Sequence, residues 1–101
     1  MLIYNVTIKI DNNIESDWIT WQKDVYIPAV MRSGFFYDSQ FSKLISHQDA
    51  DGKTYVVQFY AKDDDAFENY KARHAGESND LLSARWGNKF VVFESLLAAV
   101  Q

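Results

Sequence analysis

Two histidines, a run of three aspartates and a close pair of tryptophans are the residues of this chain whose types could do chemistry. His74 falls late in the stretch DDDAFENYKARHA, where helical spacing puts it on one face with Phe67 and Tyr70. An imidazole there could act as a base or as a single axial ligand to haem; a hydrogen-bonded boundary residue favouring the helix dipole is the simpler account. His47 sits beside a turn and reads as surface. Without HExxH or paired-carboxylate spacing, the sequence calls for no metal and no cofactor. Asp63, Asp64 and Asp65 suit the positive end of a helix dipole better than a calcium loop, whose pattern is missing. Cysteine is absent, which excludes disulfides and thiol catalysis, and no Ser-His-Asp, P-loop or GxGxxG pattern appears. These residues name no reaction, so whether the chain is an enzyme stays open.

The tryptophans belong to DWITWQKDVYIPAVMRSGFF. Ile14, Trp18, Trp21 and Val25 step by four, three and four, one face of a helix, with the two indoles about 60° apart. Both rings are expected mainly as core. Pro28, the only proline, removes the bond to the carbonyl of Asp24 and is expected to kink or end the helix, and PAVMRSG can form a further turn with Pro28 near its start and Gly34 as its stop. That places Trp21 and Tyr26 at the edge of a polar pocket.

The elements that position these residues follow from periodicity. Leu2 to Ile10 alternate as a strand, with Leu2, Tyr4, Val6, Ile8 and Ile10 on one side. Asn12 to Glu15 has the spacing of a capping box. Phe35 to His47 reads as a second strand, Asp51-Gly52 as a hairpin signal, and Lys53 to Lys62 as a third strand. A second helix starts at the aspartates and breaks at Gly76; Ser78 caps a short segment ending at Trp86-Gly87, and KFVVFESLLAAV supplies the last strand. The order βαββαβ specifies an α+β fold: an antiparallel, four-stranded ferredoxin-like sheet with both helices on one face, in a single domain spanning 1–101.

The sheet face away from the helices is the informative one. Asn5, Thr7, Gln58 and Tyr60 share it with Ile3 and Val56, and with Val91 and Phe93 or their alternates in the last strand. It is too apolar for a solvated sheet and too polar for an ordinary core, and a second copy of the chain is the simplest cover. Polar groups there could orient a small ligand against aromatic walls, or could be parts of a wet interface. Asn5, Thr7, Gln58, Tyr60, Trp21, Tyr26 and His74 are therefore the candidate cavity-lining residues.

Composition limits the partners. The chain has 10 Lys and Arg against 14 Asp and Glu, a formal charge of −4, and no basic block. Although RNA-recognition domains share the βαββαβ order, KTYVVQFY lacks their glycine and central aromatic, so nucleic acid is not expected. No apolar run reaches the roughly 20 residues of a membrane span, and the strand-like N-terminus lacks a signal-peptide pattern. A cytoplasmic setting is expected.

Taken together, IYNVTIKID, W..W....IP.VM.SG.F, TYVVQFYA and RWGNKFVVFESLL resemble a bacterial family known as domain of unknown function 4286, over nearly the whole chain. The family is similar in architecture to the dimeric α/β-barrel superfamily, in which two ferredoxin-like subunits press their sheets together around a cavity. Antibiotic-biosynthesis monooxygenases, haem-degrading monooxygenases and stress-response dimers share that architecture. The resemblance implies a fold and a homodimer, and no reaction. Relatives often carry a histidine just before the IP pair, where this chain has Tyr26, so no proton-transfer role is carried over to that position. The expectation is a homodimeric protein with a small-molecule cavity. One alternative is a cofactor-independent monooxygenase or isomerase acting on an aromatic or polyketide-like substrate; another is a non-catalytic structural or stress protein with a filled barrel.

Overall fold

β1 (Leu2–Asp11) keeps the alternation read from the sequence, burying Tyr4, Val6, Ile8 and Ile10 on one face and leaving Ile3, Asn5, Thr7 and Lys9 half-buried on the other. In a computed structural model, which describes residues 1–46 and 50–100, it pairs antiparallel with β3 (Gly52–Ala61) and with β4 (Phe90–Ala98). β2 (Asp38–Lys43) adds to the far side of β3, giving the order β2-β3-β1-β4. The two most apolar strands are thus central, as the ferredoxin-like topology requires. The β1 and β3 backbones come close at Gly52, since a Cβ there would sit 2.8 Å from the Ile10 carbonyl oxygen.

β2 is shorter than the expected Phe35–His47. Phe36 instead packs its ring into the core against Tyr4, Phe59 and Tyr70, and the ladder starts at Asp38. His47 lies outside the described residues.

Between β1 and β2 runs one helical segment of changing pitch. A 3₁₀ turn (Asn12–Ile14) leads into α1 (Glu15–Trp21), a π-helical stretch (Gln22–Tyr26) and α2 (Ile27–Met31). The expected capping box does not form, because the Asn12 amide donates across to the Ala50 carbonyl at 2.8 Å. At Pro28 the helix changes pitch instead of ending, and the further turn expected from PAVMRSG forms. The proline sits in the first turn of α2, where a missing N–H costs least, and the Ile27 N–H reaches back to Gln22 in the wider π pattern. The run stops at Gly34, whose φ of 83° is the left-handed value glycine tolerates.

The wide turn changes which residues face inward. At regular α-helical pitch each step of four residues drifts by roughly 40°, and the π stretch absorbs that drift. Trp18, Gln22, Tyr26 and Val30 consequently form the buried row, while Val25, expected inside, is 37% exposed.

α3 (Asp64–Arg73) is capped as expected, Asp63 accepting from the Ala66 N–H at 3.0 Å. The break after it falls at His74 rather than Gly76, and α4 (Ala75–Trp86) starts at once. Ser78 is therefore no cap. It is buried within α4, with its Oγ 2.8 Å from the Tyr70 hydroxyl. The core lies between the sheet and these helices, and the opposite sheet face carries no helix.

Candidate functional site

The helical layer packs closest on β2, β3 and β1 and leaves a gap over part of β4. Pairing with β1 decides which β4 side chains look toward the helices: Val92 lies opposite Ile8, Glu94 opposite Val6, and Leu96 opposite Tyr4. All three positions are exposed although their partners are core. A cavity of about 440 Å³ opens in that gap, walled by Tyr4, Phe67, Tyr70 and Leu96, with Glu94 on the strand side and Glu68, Lys71 and Asn79 at the rim. This volume lies within the range of roughly 300–1,000 Å³ usual for small-molecule sites.

The Tyr4 hydroxyl meets the Glu94 carboxylate here, and the Glu94 charge also acts on Tyr26 and Tyr70. The Tyr4 ring lies 5.4 Å from Phe67 and 5.7 Å from Tyr70, and its hydroxyl makes hydrogen-bonding contact with Glu94. Tyr26 comes from the end of the π stretch and is buried against Trp21 and Phe59, with Glu94 and Tyr70 near enough to act on its charge. Burial is the largest cause holding the Tyr4, Tyr26 and Tyr70 hydroxyls above the usual tyrosine range, and the Glu94 charge adds to it in each case. For Tyr70 the Ser78 bond opposes the rise in part. All three groups are therefore protonated at neutral pH, and Tyr4 has the strand-borne Glu94 as its hydrogen-bonding partner.

The candidate residues from the sequence divide between the two faces of the sheet. Asn5, Thr7, Gln58 and Tyr60 lie on the helix-free face as a bonded row. Gln58 Nε2 donates to Asn5 Oδ1 at 3.1 Å, Asn5 Nδ2 to Thr7 Oγ1 at 3.1 Å, and the Tyr60 hydroxyl to Gln58 Oε1 at 3.3 Å. Trp21, Tyr26 and His74 lie on the helical side. Trp21 is half-buried, edge-on to Trp86 at 5.8 Å. His74 occupies the turn between α3 and α4, between the rings of Phe35 and Tyr70, with Nδ1 3.7 Å from Glu77 Oε2. None of the seven lines this cavity, although Tyr26 lies near enough for the Glu94 charge to act on it.

Tyr4, Tyr70 and Glu94 are absent from the sequence-derived candidates. A signal for Glu94 exists: in FVVFESLLA it occupies the alternation phase of the core-facing Phe90, Val92 and Leu96, where a charge is out of place. Gln22 is a second polar residue without an obvious sequence signal. It is fully buried, and both its amide atoms lack a hydrogen-bond partner, as do the indole N–H groups of Trp18 and Trp86. Among the described residues no three His, Asp or Glu side chains come together to hold a metal, and no helix is long and apolar enough to cross a membrane.

A four-stranded antiparallel sheet in this order, with its helices on one face, defines the ferredoxin-like class, and comparison narrows it to a family. The chain belongs to the family described as Domain of unknown function (DUF4286), whose model matches residues 1–100. A comparison with curated protein sequences finds no match. Among solved structures it is similar to a putative antibiotic biosynthesis monooxygenase from Deinococcus radiodurans, at 11% identity and a TM-score of 0.71, covering 100% of this chain and 94% of that one. It is also similar to a dimeric ferredoxin-like protein from an uncultured marine organism, at 9% identity and a TM-score of 0.69, covering 100% and 96%. A third is SnoaB from Streptomyces nogalater, a cofactor-independent oxygenase, at 14% identity and a TM-score of 0.62, covering 99% and 94%. Identities this low establish a common fold and nothing further.

Proposed function

We propose that the protein is a cytoplasmic homodimer that binds a neutral, flat small molecule in the cavity between α3–α4 and β4. The observation that carries this reading is the meeting of the Tyr4 hydroxyl and the Glu94 carboxylate at a cavity of about 440 Å³ whose walls include Phe67 and Tyr70. Aromatic and apolar walls with a few convergent polar groups are the usual make-up of a small-molecule site. The charged side chains at the cavity are Glu68, Lys71 and Glu94, a balance that disfavours an anionic ligand. A hydroxyl or carbonyl on a fused ring fits best, accepting from tyrosine and, if a hydroxyl, donating to Glu94.

The dimer uses the other face of the sheet. Val91 is 63% exposed and Phe93 73%, and both flank the row of Asn5, Thr7, Gln58 and Tyr60 on the helix-free side. A two-fold partner laid on this face covers those side chains, and the polar row then lines the space between the two sheets. The likeness to a dimeric ferredoxin-like protein supports this arrangement.

Titration with 2-naphthol, 2-tetralone and 2-quinolone, followed by calorimetry, tests the cavity. At least one of the three is expected to bind saturably, and Leu96→Trp, which fills the cavity from an exposed strand position, is expected to abolish that binding without unfolding the protein. Binding of none of them, or binding unchanged in Leu96→Trp, overturns the reading.

A further inference from the structure

The same cavity has the parts for a reaction. Resting on the binding reading above, we propose that it catalyses proton transfer at carbon, with Glu94 taking an acidic C–H proton from a neutral, enolisable aromatic ketone while the Tyr4 hydroxyl donates to the enolate oxygen. The placement of the groups supports this. Glu94 projects from β4, at the position opposite Val6, and Tyr4 from the neighbouring β1, so acid and base come from adjacent, hydrogen-bonded strands rather than from mobile loops. In the free protein these two groups contact each other. A ketone that inserts between them takes the Tyr4 proton donor onto its carbonyl oxygen and frees a carboxylate lone pair for the adjacent carbon. The rings of Phe67 and Tyr70, each within 6 Å of Tyr4, hold the flat body of the ligand against the helical wall.

The division of roles follows from ionisation. Burial and the Glu94 charge keep the tyrosines protonated, so they cannot act as bases. They can donate to an oxygen as it gains negative charge, the arrangement that lowers the barrier to enolate formation. In the step, the C–H bond breaks, the proton passes to a Glu94 oxygen, and the C–H electron pair becomes the enolate C=C bond as the carbonyl π pair moves onto oxygen. Returning the proton to the same carbon regenerates the ketone; returning it to a conjugated carbon moves a double bond. Glu94 ends as it began, and no oxidant, reductant or second substrate is consumed. The substrate class is thus a neutral ketone whose α-CH₂ is activated by an adjoining aromatic ring, and the reaction class is enolisation or double-bond isomerisation.

The test is exchange of the C1 protons of 2-tetralone in D₂O, followed by proton NMR, alongside calorimetric binding of 2-naphthol, which resembles the enol. Wild-type protein is expected to accelerate exchange over buffer. Glu94→Gln, at an exposed position on an edge strand, is expected to lose about 100-fold or more of the catalysed exchange, the scale of a general base. Tyr4→Phe, which keeps the ring, is expected to lose about tenfold or more. If 2-naphthol binds and Leu96→Trp blocks it, but 2-tetralone exchanges no faster than in buffer, the catalytic inference fails and the binding reading stands. Exchange that persists in Glu94→Gln likewise overturns the assignment of the base. If none of the three ring compounds binds, both readings fail together.

Discussion

The Tyr70 hydroxyl lies 2.8 Å from Ser78 Oγ, a buried bond that ties α3 to α4 across the turn at His74. The bond fixes one wall of the cavity, because Tyr70 and Phe67 stand on the helix it anchors. Ser78→Ala leaves a buried hydroxyl with no partner and is expected to destabilise by about 1–3 kcal/mol. Tyr70→Phe in the Ser78→Ala background should then cost less than it does alone. Urea unfolding of the two single variants and the double variant measures this coupling; additive effects show that the bond contributes nothing.

A second pair gives a pH dependence. Tyr55 on β3 donates to Glu15 Oε2 at 2.6 Å, and Lys43 lies 3.0 Å from the same oxygen. The Tyr55 bond first, and Lys43 after it, hold the Glu15 carboxyl below the usual carboxylate range. A lowered folded-state pKa contributes stability above the unfolded value of about 4.3, and this is lost as pH falls through the folded value. Tyr55→Phe is expected to reduce stability at pH 7 by about 1–2 kcal/mol and to flatten the acid limb of its pH profile. Equal slopes below pH 4 in both proteins contradict this.

Burial acts on the opposite limb. Four of the six tyrosines, Tyr4, Tyr26, Tyr55 and Tyr70, ionise above the normal value of about 10 in the folded state. Their contribution is complete below about pH 10 and is lost as pH rises toward the folded values, because the unfolded chain releases those protons first. Absorbance at 295 nm should show phenolate from these four appearing only as the protein unfolds. Complete ionisation with retained circular dichroism counts against the buried cluster.

Gln22 is expected to cost stability where it stands. Both amide atoms are buried without a partner, so Gln22→Met, of similar volume, removes unsatisfied polar groups and should stabilise by about 1–2 kcal/mol. For a domain of this size each kcal/mol moves Tm by roughly 4–8 °C. A lower Tm by calorimetry shows instead that the amide is bonded in solution.

The dimer is tested at Phe93. Phe93→Glu puts a charge at the centre of the exposed apolar patch without touching the core, since Phe93 is opposite Thr7 on the helix-free face. Light scattering at micromolar concentration is expected to give a dimer mass for the native protein and a monomer mass for the variant. A native monomer contradicts the proposed interface.

Much of this was legible in the sequence because strand alternation is local. Leu2 to Ile10 and Lys53 to Lys62 each declare a buried and an open face within a few residues, and βαββαβ order then leaves few ways to join them. The same phase marks Glu94 as a charge on a core-facing position, although nothing local says that the helical layer fails to reach it. Where helices were concerned, spacing misled. The row Ile14, Trp18, Trp21, Val25 assumes regular pitch, and the π stretch before Pro28 turned Gln22 and Tyr26 inward and Val25 outward. That choice rests on which side chains fill the space above Phe59 and beside Trp86, a tertiary property. The cavity is a tertiary property too. Tyr4 and Glu94 lie far apart in the chain, and only strand pairing, which sets Glu94 beside Val6 and Leu96 beside Tyr4, brings the carboxylate to the Tyr4 hydroxyl. Periodicity fixes which face a residue looks toward; the register between strands and the reach of the helical layer decide what it meets there.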